Sequence, residues 1–161
     1  FTLAEAQALV AKEFNRTIED TNDMSPEDER QLCEYVKKNL HSDFVFITRF
    51  PTKKRAFYTY EDPGEAPFSR GFDLLFRGLE INSGAQRIHD YDMLVKKIKD
   101  WGMDPKKFEY YLRTFKCGMP PHGGSSTGLE RFTARMLELA NVKEATAFPR
   151  DMTRIDSRLS E

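Results

Sequence analysis

Ionisable side chains fall at fixed offsets inside an apolar run between residues 70 and 89, where Asp73, Glu80, Ser83, Arg87 and His89 interleave with Phe72, Leu74, Leu75, Phe76, Leu79 and Ile81. These aromatic and aliphatic residues favour a pleated, half-buried surface, and Arg77-Gly78 interrupts them as a short turn does. The segment reads as a β-hairpin. With a two-residue turn, Phe76 pairs with Leu79, Leu75 with Glu80, Leu74 with Ile81 and Asp73 with Asn82. Asp73 and Glu80 then become diagonal neighbours on one face, about 7–8 Å apart. Two carboxylates at that spacing repel unless something positive lies between them, and a divalent cation carrying a phosphate fits the gap. Arg-Gly is weaker turn chemistry than Asn-Gly, and a bulged three-residue turn would shift this pairing by one. Just past Glu80, Arg87 offers a planar guanidinium suited to two-point capture of a carboxylate, where a lysine offers a point charge. The same pattern also describes an amphipathic hairpin with a solvated acidic face and a surface arginine.

A second group lies downstream. The glycine- and serine-rich residues 123–128 run into a helix beginning near Leu129, so that backbone N–H groups and a helix N-terminus converge where an anion can sit; such a loop can equally be only a turn. On that helix Arg131 either clamps a phosphate or pairs with Glu130 or Glu138 on the helix surface. His122, between Pro121 and Gly123, either caps a turn or approaches a substrate. His89, at a strand end, is read as a structural residue bonded to the backbone.

These side chains need elements to hold them. Residues 1–14 predict a helix opening on a capping box from Thr2 to Glu5, with Leu3, Ala6, Leu9, Val10 and Phe14 on one face. Ser25-Pro26-Glu27-Asp28 starts a second helix whose buried stripe is Leu32, Tyr35, Val36 and Leu40. Residues 44–51 and 56–60 read as strands joined by the basic connection 51–55, and Asp62-Pro63-Gly64 is a turn leading towards the hairpin. Residues 91–101 predict a helix ending at Gly102, and Asp104-Pro105 starts another with Phe108, Tyr111, Leu112 and Phe115 as its core face. Residues 118–128 are too rich in Gly and Pro for regular structure and read as a loop. The helix from Leu129 carries Phe132, Met136 and Leu139, and Ala145-Thr146-Ala147-Phe148 predicts a short last strand. The fold class is α+β, a mainly antiparallel sheet flanked by helices.

With 161 residues, 39% hydrophobic, 13 Phe and 6 Tyr, the chain can bury a core and is most simply one domain. No apolar run approaches the roughly 20 residues that span a bilayer, and the first residues lack the basic-then-apolar profile of a signal peptide. Cys33 and Cys117 are far apart without metal spacing, which suits reduced thiols and a cytoplasmic location. A net charge of −1 gives no global electrostatic case for nucleic-acid binding, and the short basic runs at 37–38, 53–55, 96–97 and 106–107 read as solvated faces.

The run Phe72-Asp73, then Arg77-Gly78-x-Glu80-Ile81-x-Ser83-Gly84-Ala85-Gln86-Arg87-Ile88-His89, resembles the active-site hairpin of the archaeal and eukaryotic type of aspartyl-tRNA synthetase, a class II enzyme. Gly118-Met119-Pro120-Pro121-His122-Gly123-Gly124, Gly128-Leu129-Glu130-Arg131-Phe132 and Phe148-Pro149-Arg150-Asp151 resemble motif 3 of that family and its flanks. The resemblance runs from about residue 43 to about residue 156. It implies the class II catalytic fold, ATP, L-aspartate and tRNA as partners, and Mg2+ bound with ATP. It places Asp73, Glu80 and Ser83 at magnesium and ATP positions, and Ser83, Arg87 and His122 around the amino acid. Gly128, Leu129, Glu130 and Arg131 fall on ATP, with Arg131 at the terminal phosphate. Ser125-Ser126-Thr127-Gly128 departs from the family's Gly-Phe-Gly-x-Gly.

The resemblance further implies that motif 1 with its dimer interface, the Arg-x-Glu of motif 2 and the anticodon-binding domain would precede residue 1. On that expectation the 161 residues are the C-terminal part of the catalytic domain of a homodimeric enzyme and form little adenylate alone. Whether such an enzyme charges only the aspartate tRNA or also the asparagine tRNA rests mainly on the anticodon-binding domain. The runs at 83–89, 119–122 and 149–151 favour aspartyl over asparaginyl enzymes. The alternatives are an asparagine synthetase derived from the family, which releases the same adenylate to ammonia, and a synthetase-like module without catalysis.

Overall fold

Both N-terminal helices begin on reciprocal caps. Thr2 Oγ1 accepts from the Glu5 amide at 3.2 Å while Glu5 Oε2 accepts from the Thr2 amide at 2.8 Å, opening α1 (Leu3–Glu13). Ser25 and Asp28 repeat the exchange at α2 (Pro26–Leu40), where proline at the first helical position costs no hydrogen bond. The computed structural model describes residues 1–149. Arg150 and Asp151 of the motif-like run at 148–151 lie outside them.

The four strands are β1 (Phe44–Thr48), β2 (Gly71–Phe76), β3 (Leu79–Arg87) and β4 (His122–Thr127), joined in the order β1-β2-β3-β4 with every pairing antiparallel. Val45, Ile47 and Leu75 point from one sheet face into a core with Leu3, Ala6 and Val10 of α1 and Leu32, Cys33 and Val36 of α2. The expected stripe of α2 changes at its end. Leu40 is 56% exposed because the helix stops at His41, which turns left-handed, and Cys33 is buried instead. The opposite sheet face is aromatic: Phe44 stacks on Phe76, Phe46 meets Phe72 edge-on, and Phe132 of α5 (Leu129–Met136) covers Phe76. A second core joins α3 (Tyr91–Asp100) and α4 (Glu109–Lys116) through Ile88, Leu94, Ile98, Leu112 and Phe115. Gly102, just past α3, adopts the left-handed conformation of a helix stop.

Four expectations need correction. The strand over 44–51 ends at Thr48, because Arg49 is left-handed. Residues 56–60 form a turn closed by the Thr59 amide on the Ala56 carbonyl, and only Tyr58 and Tyr60 bond the end of β3. Residues 122–127, expected as loop, are a strand: β3 supplies a full row of backbone partners, and glycine and serine fit where larger side chains would collide. Residues 145–148 form no strand; Asn141 instead caps a short 3-10 turn, Val142–Ala145. The helix expected from Asp104-Pro105 forms, opening with one 3-10 turn before α4.

The hairpin turn is the two-residue one, with Arg77 and Gly78 both at positive φ. A bulge lies inside the strands instead. Leu75 pairs with Glu80 as expected, but Ile81 is passed over, so Leu74 faces Asn82 and Asp73 faces Ser83.

Candidate active site

That bulge builds the site. Glu80 and Ser83 are three residues apart and would point to opposite faces of a regular strand; the extra residue returns both to the face that carries Asp73. Ser83 Oγ donates to Asp73 Oδ1 at 2.6 Å. Glu80 sits beside them. Burial raises its pKa, the Asp73 charge adds to the rise, and Arg131 and Arg55 oppose it.

The positive group next to Asp73 is one the sequence reading missed. Arg55 donates from Nη1 to Asp73 Oδ1 at 3.0 Å and from Nη2 to Oδ2 at 2.7 Å, a two-point pair whose side chains are 18% and 11% exposed. Its guanidinium lies 3.7 Å from the ring centroid of the buried Phe50. The available signal was an arginine closing Lys53-Lys54-Arg55, one residue short of the aromatic pair Phe57-Tyr58; reading the triplet as solvated hid it. Glu29 of α2 was also missed. Burial pushes its carboxyl up to about 7 and the charge of Glu80 adds to the rise, while the Glu80 backbone amide works against it.

Arg87 closes the other end of the face. Its guanidinium lies 4.6 Å from the Tyr58 ring centroid and 3.3 Å from where a side chain on Gly124 would begin. Its charge and hydrogen bond reach Tyr111, whose hydroxyl is raised by burial and lowered in turn by Arg87. Among the described residues no carboxylate pairs with Arg87. It lines a cavity of about 330 Å³ together with Arg55, Tyr58, Ser83, Ala85 and Ser126. His122 pairs with Arg87 in the β3–β4 ladder but does not line the cavity, and its Nδ1 lies 3.0 Å from the Pro120 carbonyl oxygen. His89 stacks on Tyr60, and its Nδ1 has no partner among the described residues, so the expected backbone bond is not made through that atom.

Arg131 turns from α5 to β3. It donates to the Glu80 carbonyl oxygen at 3.1 Å and stands 3.9 Å from Glu80 Oε1, and so pairs across elements with neither Glu130 nor Glu138. Gly128, the residue before α5, donates to the Ile81 carbonyl at 2.7 Å, and Leu129 and Glu130 are exposed at the helix start. The predicted residues thus form one continuous face, from Arg87 through Ser83 and Asp73 to Glu80 and Arg131.

The fold is that of the class II aminoacyl-tRNA synthetases: the family described as tRNA synthetases class II (D, K and N) matches residues 5–152, and the chain belongs to that family. Within it, the chain is 51% identical to the aspartate–tRNA(Asp/Asn) ligase of Thermus thermophilus over 154 residues, 96% of this chain and 36% of that protein. It is 40% identical to the aspartate–tRNA(Asp) ligase of Pyrococcus horikoshii, covering 91% of this chain and 33% of that one. Its structure resembles the aspartyl-tRNA synthetase of Entamoeba histolytica, with a TM-score of 0.89 at 37% identity over 97% of this chain and 32% of that chain. The asparaginyl-tRNA synthetase of Pyrococcus horikoshii follows the same fold, with a TM-score of 0.84 at 32% identity over 96% and 36% of the two chains. The chain spans about a third of the length of the curated relatives it matches. No helix among the described residues is long and apolar enough to cross a membrane.

Proposed function

We propose that this chain carries the amino-acid and nucleotide face of an aspartate–tRNA ligase. The observation that carries the reading is Arg87, a half-buried guanidinium oriented by Tyr58, Tyr111 and Gly124 at the end of a cavity and lacking a carboxylate among the described residues. A substrate carboxylate of matching geometry supplies what it lacks. In this reading Arg87 takes the side-chain carboxylate of aspartate, and Ser83 and His122 border the rest of the amino acid. An oxygen of the substrate's α-carboxylate bonds to the α-phosphorus of ATP as the bond to the pyrophosphate breaks. No side chain has to remove a proton, because the attacking carboxylate is already ionised, so positioning carries the step. Arg131, with Gly128, Leu129 and Glu130 at the start of α5, faces the departing phosphates. A hydroxyl of the tRNA 3′ end then attacks the aspartyl carbonyl, and AMP leaves as the anhydride bond breaks.

The described residues contain no cluster of three His, Cys, Asp or Glu side chains able to hold a metal. The donor set nevertheless fits Mg2+ delivered with ATP, an ion held by one or two carboxylates and by phosphates. Glu80 would hold it, because Asp73 is engaged at both oxygens by Arg55 and the Ser83 hydroxyl is engaged with Asp73. When bound, the ion neutralises phosphate charge. tRNA binding belongs to the same proposal, from the names of the relatives, and homodimerisation and a cytoplasmic location are what the family resemblance implies.

The test is ATP–pyrophosphate exchange by the full-length protein carrying this sequence. L-aspartate should drive exchange and L-asparagine should not. Exchange driven by asparagine alone, or adenylate turnover to free asparagine with ammonia and no tRNA, would contradict the reading.

A further inference from the structure

The Arg55–Asp73 pair does more than balance a charge, because it decides what Ser83 can bind. Asp73 receives Arg55 at both oxygens, at 3.0 and 2.7 Å, and receives Ser83 Oγ at 2.6 Å. A carboxylate held by a guanidinium fork has only acceptors to offer, so the serine must spend its single proton on Asp73. Arg55 Nη1, 3.4 Å from Ser83 Oγ, is a donor on a second side of the same oxygen. What remains of Ser83 towards the cavity is an acceptor, and both residues line that cavity with Arg87. The group that fits there is a hydrogen-bond donor, and on an amino acid that group is the ammonium.

We infer that Arg55 is a positioning residue which, through Asp73, fixes the Ser83 hydroxyl as the acceptor for the substrate's ammonium group, while Arg87 takes the side-chain carboxylate. The inference rests on the function proposed above. It separates two recognition events along one cavity: carboxylate at Arg87, ammonium at Ser83, with Arg55 acting on the second alone. Arg55 is suited to the task because it is clamped from both sides, by the Asp73 carboxylate in its plane and the Phe50 ring beneath it.

The experiment compares L-aspartate with succinate, which keeps both carboxylates and lacks the amine. In the full-length protein, Arg55→Gln should raise the KM for aspartate about tenfold or more, the scale of a lost charge-assisted contact, with the KM for ATP held within about threefold. Inhibition by succinate should stay within about twofold of the unsubstituted enzyme. Arg55→Lys, which keeps the charge but not the fork, should show the same split at smaller size, and it serves where Arg55→Gln does not fold. Asp73→Asn combined with Arg55→Gln should cost less than the two single changes summed, since they share one pair. Equal weakening of aspartate and succinate, or no change in the aspartate KM, would overturn the inference and leave the proposed function standing. An unsubstituted enzyme that shows no aspartate-dependent exchange would overturn both.

Discussion

Arg87 is available to a ligand because its neighbours hold the guanidinium without neutralising it: an aromatic face at Tyr58, a phenol at Tyr111, and a glycine where any side chain would press on the fork. Gly124→Ala places its methyl carbon 3.3 Å from Arg87 Nε and Nη2, a clash that a flexible side chain relieves by moving. Activation of aspartate should therefore fall about tenfold in kcat/KM while the melting temperature stays within about 2 °C, since only the end of a half-exposed side chain is displaced. Glu29 predicts a pH effect. Its folded-state pKa of about 7 lies above the ordinary 4.5, so the stability linked to its protonation is fully present below about 4.5 and lost as pH rises through 7. Glu29→Gln should match the parent's melting temperature near pH 5 and exceed it at pH 8; equal melting temperatures at pH 8 would count against it. That Arg87 and Ser83 share one strand and one face was legible, because alternation along a strand is local. Arg55 and Glu29 were not, because each reaches the face from a distant segment and neither spacing nor residue type says where that segment lands.

At the level of elements, the bulge at Ile81 is what makes a site from a hairpin. The turn and the first pairs follow from the residues as expected, and a clue to the rest is present too: Glu80 and Ser83, both read as site residues, lie at an odd spacing that no regular strand puts on one face. β4 escaped because glycine and serine are poor strand formers by propensity, whereas here the sheet selects them for size. Gly84 shows the constraint. A Cβ there would fall 2.6 Å from Phe72 Cζ and 2.7 Å from Ser125 Cβ. Gly84→Ala should cost about 1–3 kcal/mol of stability by overpacking, visible as a lower midpoint in denaturant at unchanged slope. A midpoint equal to the parent's would mean that the aromatic layer yields freely. The reciprocal cap of α1 was fully legible, because a capping box is written in four consecutive residues, whereas at α2 the helix start was legible and the return bond from Asp28 was not.

At the level of the whole molecule, the sheet has two edges of unequal exposure. The β1 edge is partly met by the first residues, with the Phe1 amino group donating to the Phe46 carbonyl and the Thr48 amide to the Phe1 carbonyl. The outer edge of β4 has no strand beside it among the described residues, and Phe44 and Phe46 stand half exposed on the aromatic face. The 161 residues alone should therefore associate, with sedimentation mass rising with concentration, and a monomer across the micromolar to millimolar range would contradict that. In the full-length protein, recognition of aspartate turns on one side chain in the function proposed above. Arg87→Lys keeps the charge and removes the fork, so the account predicts a loss of about 3 kcal/mol in transition-state binding, roughly 100- to 200-fold in kcat/KM for aspartate-dependent pyrophosphate exchange. The KM for ATP should change by less than about threefold, because the nucleotide face proposed above lies at Glu80 and Arg131. Aspartate activation within a few-fold of the parent would show that Arg87 is not the carboxylate receptor, and the site drawn around it would be wrong.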